Sequence, residues 1–237
     1  MIEQQMSIFD IEPEAKEVRR ITYNQARPFL LKIHYARRMP CITHAFGLFI
    51  NGVIGGVVTY GIPASPNLCV GLAGEKNREK VYELNRLVIL PEYSGDNNAS
   101  YLIAHSLKMM PKRSFVVSYA DTAWTHVGYV YQATNWLYTG MSAQRTDTFC
   151  PEGQHPRHSS DYNKDNNIRQ TRSAKHRYVY LVGNKKDKRE MRKELIYEVY
   201  DKYPKGDETK YDINDPKPTN PIRSYQKVGD YEQQTQR

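Results

Sequence analysis

The chain has 237 residues, 39% hydrophobic and 25% charged, with 34 Lys and Arg against 26 Asp and Glu for a formal net charge of +8. With a pI near 9.2 and a mean hydropathy of −0.74, this composition supports one globular domain with polar extensions and favours an anionic partner, of which nucleic acid is the commonest. It excludes a transmembrane helix and a secretory signal, because no apolar run reaches spanning length and the N-terminal stretch is acidic and mixed, so a cytoplasmic protein free of membranes is expected.

Residues 1–18 read as a flexible acidic leader, 19–200 as the folded domain and 201–237 as a disordered or extended tail. Residues 22–38 predict a helix with Ala26, Phe29, Leu30 and Ile33 on one face and Thr22 or Asn24 as N-cap. It ends before Pro40, with His34, Tyr35, Arg37 and Arg38 at its end. Cys41, Cys69 and Cys150 are widely spaced and form no C-x-x-C pair, which supports neither a disulfide framework nor a cysteine zinc site. Two strand-like runs, 45–50 and 53–60, flank Asn51-Gly52, the strongest short hairpin signal. Residues 61–77 read as a loop.

The central stretch is a strand–helix–strand–helix unit. Leu84 to Leu90 predict a buried strand closed by Pro91, and a helix carrying Tyr101, Leu102, Ile103 and Leu107 runs to Pro111. The loop between them, with Ser94, Gly95, Asn97, Asn98 and Ala99, could present backbone N–H groups to an anionic ligand. Phe115 to Val117 form a second strand ending in Ser118, Tyr119, Ala120 and Asp121, and a helix from about Thr125 carries Val127, Val130, Tyr131 and Asn135 before Gly140. Arg145 to Gln170 read as a long polar loop, in which His155 and His158 are too sparse a set for a metal site. Residues 177–182 predict a strand and 184–193 a basic helix, and between Arg169 and Lys193 ten Lys or Arg face only Asp187 and Glu190.

Five segments, IHYARRMP (33–40), ELNRLVILP (83–91), SYAD (118–121), GYVYQATNWLYTG (128–140) and KHRYVYL (175–181), together resemble the phage Mom family of DNA-adenine modification proteins, within the GNAT superfamily of N-acetyltransferases. The resemblance spans roughly residues 20 to 185. It implies a GNAT-like mixed central sheet flanked by helices, with the basic C-terminal extension added. It implies conversion of adenine in double-stranded DNA to N6-carbamoylmethyladenine, which shields phage DNA from host restriction. It places His34, Tyr35 and Asp121 at the active site, where they could move protons or hold a metal such as iron. Tyr131 resembles the superfamily tyrosine that protonates a leaving thiolate, and Asn135 one turn on could bond the donor chain.

The superfamily's pyrophosphate loop corresponds here to 92–100, with Ser94, Gly95, Asn97, Asn98 and Ala99 as donor-binding candidates. Glu92 and Asp96 depart from its pattern and would repel a diphosphate. The donor is thus expected to be acyl-coenzyme A or a glycyl- or aminoacyl-tRNA. A glycyl amide on N6 and a carbamoylmethyl group on N6 are isomers, so a glycyl transfer followed by rearrangement would balance. Because the adenine is stacked in a duplex, base flipping is expected, with Tyr35, Tyr119 or Trp124 stacking on the extruded base. Arg37, Arg38, Lys112, Arg113, Lys175 and Arg177 are phosphate-binding candidates, and Arg86, unusual in an apolar strand, needs a partner, for which Glu83, Asp121 and a nucleic-acid phosphate are the candidates. Competing expectations are an ordinary N-acetyltransferase acting on a small amine or protein, and a non-catalytic nucleic-acid-binding module on the same scaffold.

Overall fold

In the computed structural model, which describes residues 15–148, 168–206 and 225–227, the chain starts as an edge strand, β1 (Lys16–Arg20), paired antiparallel with β2 (His44–Ile50). The leader expected over 1–18 therefore gives way to sheet from Lys16. Between these strands lies α1 (Tyr23–Pro28), opened by a capping box of Thr22 and Gln25. Pro28 has no N–H to continue the α-helical ladder. The next five residues, Phe29–Ile33, form a π-helical turn closed by a bond from His34 N–H to the Phe29 carbonyl at 2.9 Å. The helix expected to reach residue 38 thus stops at Ile33, and His34 turns into an extended conformation (ψ 134°).

Asn51 and Gly52 take left-handed backbone angles (φ 49° and 83°) and join β2 to β3 (Val53–Gly61), as a two-residue hairpin requires. The segment read as a loop, 61–77, contains α2 (Pro66–Ala73), with Pro66 in the first turn where a missing N–H costs nothing. A 3-10 turn (Glu75–Lys80) leads into β4 (Val81–Ile89). Then follow α3 (Asn98–Lys108), β5 (Phe115–Asp121) and α4, which covers only Tyr129–Ala133. The longer helix expected from Thr125 is shortened at both ends: Gly128 (φ 83°) starts it late, and Asn135 (φ 59°) turns the chain into β6 (Leu137–Met141). Next come β7 (Arg145–Thr148), β8 (Ile168–Arg172), β9 (Lys175–Leu181), α5 (Lys185–Glu194) and β10 (Tyr225–Lys227). Residues 149–167, with Cys150, His155 and His158, and most of the expected tail lie outside the described residues.

The main sheet has seven strands in the order β1-β2-β3-β4-β5-β9-β6, and β10-β8-β7 form a small second sheet. The expected GNAT-like class, a mixed sheet with helices on both faces, is what the structure shows. Period-two alternation splits the core. On one face Phe46, Leu48, Val58, Tyr60, Leu84 and Val116 meet Leu102, Ile103 and Leu107 of α3 and the fully buried Trp136. On the other, Val57 and Val88 pack on Phe29 and Leu30, while Val81, Phe115, Val117 and Val179 pack on Leu72 of α2 and Met191 of α5.

Gly61 is a tight point of this scaffold. A Cβ there would stand 1.9 Å from the Cys41 carbonyl oxygen and 2.9 Å from Asn85 Nδ2, the two atoms whose 2.8 Å hydrogen bond pins the segment after His34 against β4. Gly61→Ala is expected to displace that segment. Overpacking of this kind costs about 2 kcal/mol, and for a domain of this size thermal unfolding should then come roughly 4–8 °C lower. An unchanged melting temperature would show that residues 34–43 are not held as described.

Candidate active site

The site exists because two strands part. β4 and β5 run parallel and pair only at Val81 with Phe115, Tyr82 with Val116 and Glu83 with Val117. Beyond that point β4 stays with β3 as far as Ile89, and β5 stays with β9 through Asp121. The wedge between them is bridged by Ser118, whose Oγ lies 2.9 Å from the Leu84 carbonyl and 2.8 Å from the Tyr131 hydroxyl. With one proton to give, Ser118 donates to the carbonyl and accepts from Tyr131.

A bulge aims the β4 side chains. Thr59 pairs with Arg86 and Tyr60 with Leu84, leaving Asn85 as the extra residue. Asn85 is anchored on both sides, accepting from Thr59 Oγ1 at 2.6 Å and donating to the Cys41 carbonyl. Val81 and Val88, on either side of the bulge, belong to the core face that packs on α1 and α2. Glu83 and Arg86 share the parities of Val81 and Val88 and so face that same side, where the π-turn delivers His34 and Tyr35.

His34 is 8% exposed, and its ring stacks on Tyr35 at 4.3 Å. The Ala36 N–H donates to its Nδ1 at 3.0 Å, which leaves the proton on Nε2. Burial, then the positive charges of Arg86 and Arg38, lower its pKa to about 3. At neutral pH His34 is therefore an uncharged imidazole offering an Nε2–H. Tyr35 is half exposed, yet its phenol is raised by desolvation in the cleft and by Asp121, against the opposing pull of Arg86 and Arg38.

The two carboxylates differ. Asp121 is saturated: Oδ2 accepts from Lys175 at 2.6 Å, and Oδ1 accepts from Ser173 and, at 3.0 Å, from Ala123 N–H. Burial alone would raise its pKa, but the bonds from Lys175 and Ser173 outweigh burial and hold it below the usual carboxylate range. Glu83 is half buried, and among the described residues it has no hydrogen bond and no ion pair within 4.0 Å. Burial raises its pKa, with Arg86, Lys175 and Arg172 acting in the opposite direction. Arg86 bonds the Asn85 carbonyl through Nη1 at 2.6 Å, and its Nε is buried without a partner. The cleft thus holds an unpaired carboxylate of raised basicity beside a guanidinium with an open donor. The sequence reading considered Glu83 only as a partner for Arg86; the signal available was a second charge three residues away in an otherwise apolar strand.

The residues do not fit a metal. Binding through His34 Nε2 would move its proton to Nδ1, against the Ala36 N–H, and the Asp121 oxygens are already engaged. Among the described residues no group of three His, Cys, Asp or Glu side chains could hold an ion. The expected iron at His34, Tyr35 and Asp121 thus has no supporting ligand set.

Of the other expected site residues, Tyr131 is 8% exposed at the back of the wedge, packed on Trp136 and Tyr178, with its pKa pushed up to about 12 first by burial. Tyr119 shares the cleft face with Glu83, and burial, reinforced by Glu83, pushes its phenol up. In the expected donor loop Asp96 and Asn97 are left-handed (φ 49° and 59°), no side chain caps α3, and Asn98 is buried with Nδ2 bound to the Tyr93 carbonyl. Ser94, Gly95, Asn97 and Ala99 stay with that loop, whereas Asn135 lies away from it, in a groove beside α5. Arg37, Arg38 and Lys112 are exposed. Three expected phosphate ligands are engaged internally. Arg113 pairs with Asp187 and Glu190, Lys175 with Asp121, and Arg177 bonds Thr139 and lies 3.6 Å over the Tyr197 ring. The side chain of Trp124 lies outside the described residues. Among the described residues no helix is long and apolar enough to cross a membrane.

Strand order and cleft together define a GNAT-like α/β fold with its candidate site where the fourth and fifth strands separate. Residues 15–205 match the model of the Mom protein family, and the chain belongs to that family. It is 29% identical over 119 residues to the "Methylcarbamoylase mom" of Escherichia phage Mu, a match covering 48% of this chain and 49% of that relative. The chain therefore spans about half the length of the curated relative it matches. Solved structures similar to it include a GNAT-family acetyltransferase from Bacillus cereus (11% identity, TM-score 0.41, covering 70% of this chain and 97% of that one). Another is an N-acetyltransferase from Staphylococcus aureus (13% identity, TM-score 0.43, covering 71% and 99%).

The depressed His34 pKa has a defined consequence for stability. The unfolded chain takes up a proton near pH 6.5 that the folded chain refuses until about pH 3. Stability present above pH 6.5 should therefore be lost progressively as the pH falls through that window. His34→Asn keeps an acceptor for Ala36 N–H but cannot protonate. Urea unfolding between pH 7 and pH 4 should show a shallower loss in the variant, by on the order of 1–3 kcal/mol; parallel curves would mean that His34 is not held neutral.

Proposed function

We propose that this chain modifies adenine in double-stranded DNA, placing a carbamoylmethyl group on N6 by way of an acyl transfer, and so shields phage DNA from host restriction. The observation that carries the reading is the half-buried, unpaired Glu83 at the point where β4 and β5 part, beside Arg86 and the His34–Tyr35 stack, in a chain of the Mom family. The name of the phage Mu relative supports the product.

On this reading the adenine is extruded from the duplex and enters the cleft beside the His34–Tyr35 stack. Glu83 takes the proton from the N6 amine as nitrogen attacks the carbonyl carbon of an activated acyl ester, carried on coenzyme A or on tRNA. The carbon–nitrogen bond forms, the carbon–sulfur or carbon–oxygen bond to the carrier breaks, and the carrier leaves with a proton. His34 Nε2–H and Arg86 Nε–H are the donors for the negative charge that builds on the carbonyl oxygen. Tyr131 and Asp121 act as positioning residues, the first through Ser118 and the second by tying β5 to Lys175 and Ser173. Isomerisation of an N6-glycyl amide then gives the carbamoylmethyl product with no net change of atoms.

Nucleoside mass spectrometry on plasmid DNA from cells expressing the chain tests this. A new adenosine species of carbamoylmethyl mass is expected, reduced about 100- to 10,000-fold in Glu83→Gln. That variant should melt at the same temperature as the parent or higher, since the substitution removes a buried charge with no partner. The rate of modification should also fall as pH is lowered through the Glu83 pKa. Unmodified adenosine from well-expressed, folded protein would turn the assignment toward an acetyltransferase acting on a small amine or protein.

A further inference from the structure

Helix α5 sorts its charges onto two stripes. Asp187, Glu190 and Glu194 recur at i, i+3 and i+7, and all three approach Arg113, at 3.3, 2.8 and 3.7 Å. Glu194 also accepts from Asn77 Nδ2 at 3.2 Å. Arg113 thereby offsets part of the charge of the acidic stripe beside the start of β5. Lys185, Lys188, Arg189 and Arg192 recur at i, i+3, i+4 and i+7 on another stripe. Among the described residues no carboxylate lies within 4.0 Å of any of these four.

This basic stripe forms one wall of a groove of about 370 Å³, floored by Leu137, Tyr180 and Leu181 and closed by Asn135. Lys188 Nζ lies 4.3 Å over the Tyr180 ring and donates to its hydroxyl at 3.0 Å, which holds the middle of the wall upright. Four cations over seven residues of helix span roughly 10 Å, about the rise of three nucleotides along one strand. Cationic walls over an apolar and aromatic floor are the chemistry that binds a sugar–phosphate backbone. The groove lies at the Leu181 end of β9, while Lys175 at the other end pairs with Asp121 in the cleft. Glu83 is in register with Val117, Val179 and the groove's Leu137, so three strand spacings, about 15 Å, separate that carboxylate from the groove.

We propose that the groove between α5 and the ends of β6 and β9 is a second contact for the DNA substrate, gripping the backbone about four base pairs from the adenine in the cleft. The proposal rests on the DNA-modifying reading above. It gives the enzyme a hold on the duplex that does not depend on the extruded base.

The test uses the full chain and a triple variant, Lys185→Gln, Arg189→Gln and Arg192→Gln, whose positions are exposed and whose replacement favours helix. A control, Lys186→Gln with Lys193→Gln, removes charge from the same helix outside the groove. Anisotropy of a labelled duplex of about two turns, titrated across salt, reads the number of phosphates engaged. Three lost contacts should flatten the slope of log affinity against log salt by about 2–3 and weaken binding at least tenfold near physiological salt. The control should shift either quantity far less. Equal slopes and affinities in parent and triple variant overturn the proposal, as does an equal effect of the control. Groove-dependent binding of an RNA hairpin with groove-independent binding of the duplex overturns it too. Plasmid adenine modification by the parent is measured alongside. If modification stands while the groove is silent, only the groove assignment falls; if the parent neither binds nor modifies DNA, the reading beneath it falls as well.

Discussion

The site depends on the separation of β4 and β5 after three residues of pairing. Each strand has a better commitment elsewhere: β4 to β3 through the bulge at Asn85, β5 to β9 over its whole length. The lost ladder bonds have to be replaced, because a buried carbonyl left without a donor is costly. Ser118 supplies the replacement at Leu84, and Tyr131 in turn satisfies Ser118. The tyrosine at the back of the wedge is thus part of what lets the wedge exist. The opening then receives side chains from three separate stretches of chain, the π-turn, β4 and β5.

Those side chains are tuned by one another. Burial, then Arg86 and Arg38, holds His34 neutral, and the Ala36 N–H decides which ring nitrogen carries the proton. Asp121 is saturated by Lys175, Ser173 and Ala123, which makes it a fixed anion and a poor proton acceptor. Glu83 has only distant cations, so burial governs its titration. Two carboxylates on one face of the sheet are thus set apart, one a structural counter-charge and the other free to serve as the base in the proposed function. The same arithmetic disfavours a metal, since each nitrogen and oxygen expected as a ligand already has a proton or a donor on it.

Much of the fold was legible because its signals are local. The Asn51-Gly52 turn, the apolar runs of β2, β3 and β5, and the alternation of β9 each act within a few residues. The misread elements have non-local causes. α2 looked like a loop because its Pro and Gly content hid a short helix held by packing on Val81 and Phe115. α4 looked longer because aromatic residues at helical spacing continue past Asn135, yet Trp136 is drawn into the core on the far side of a left-handed turn. In the site, His34, Tyr35 and Asp121 were expected from the family segments, and Arg86 from its charge in an apolar strand. The standing of Glu83 was not, because it rests on the absence of a partner, which only the folded arrangement reveals.

Charge makes the same point at larger scale. The run from Arg169 to Lys193 reads as uniformly basic, but its members do quite different things once folded. Lys175 and Arg177 are engaged with Asp121 and Thr139, and Arg113, outside the run, withdraws the three acids of α5. Among the described residues no carboxylate lies within 4.0 Å of Lys185, Lys188, Arg189 and Arg192 on one stripe of α5, nor of Lys186 and Lys193 outside it. Arg113, expected among the phosphate contacts, is instead held by the acids of α5, an internal partnership that the run of basic residues in the sequence does not show.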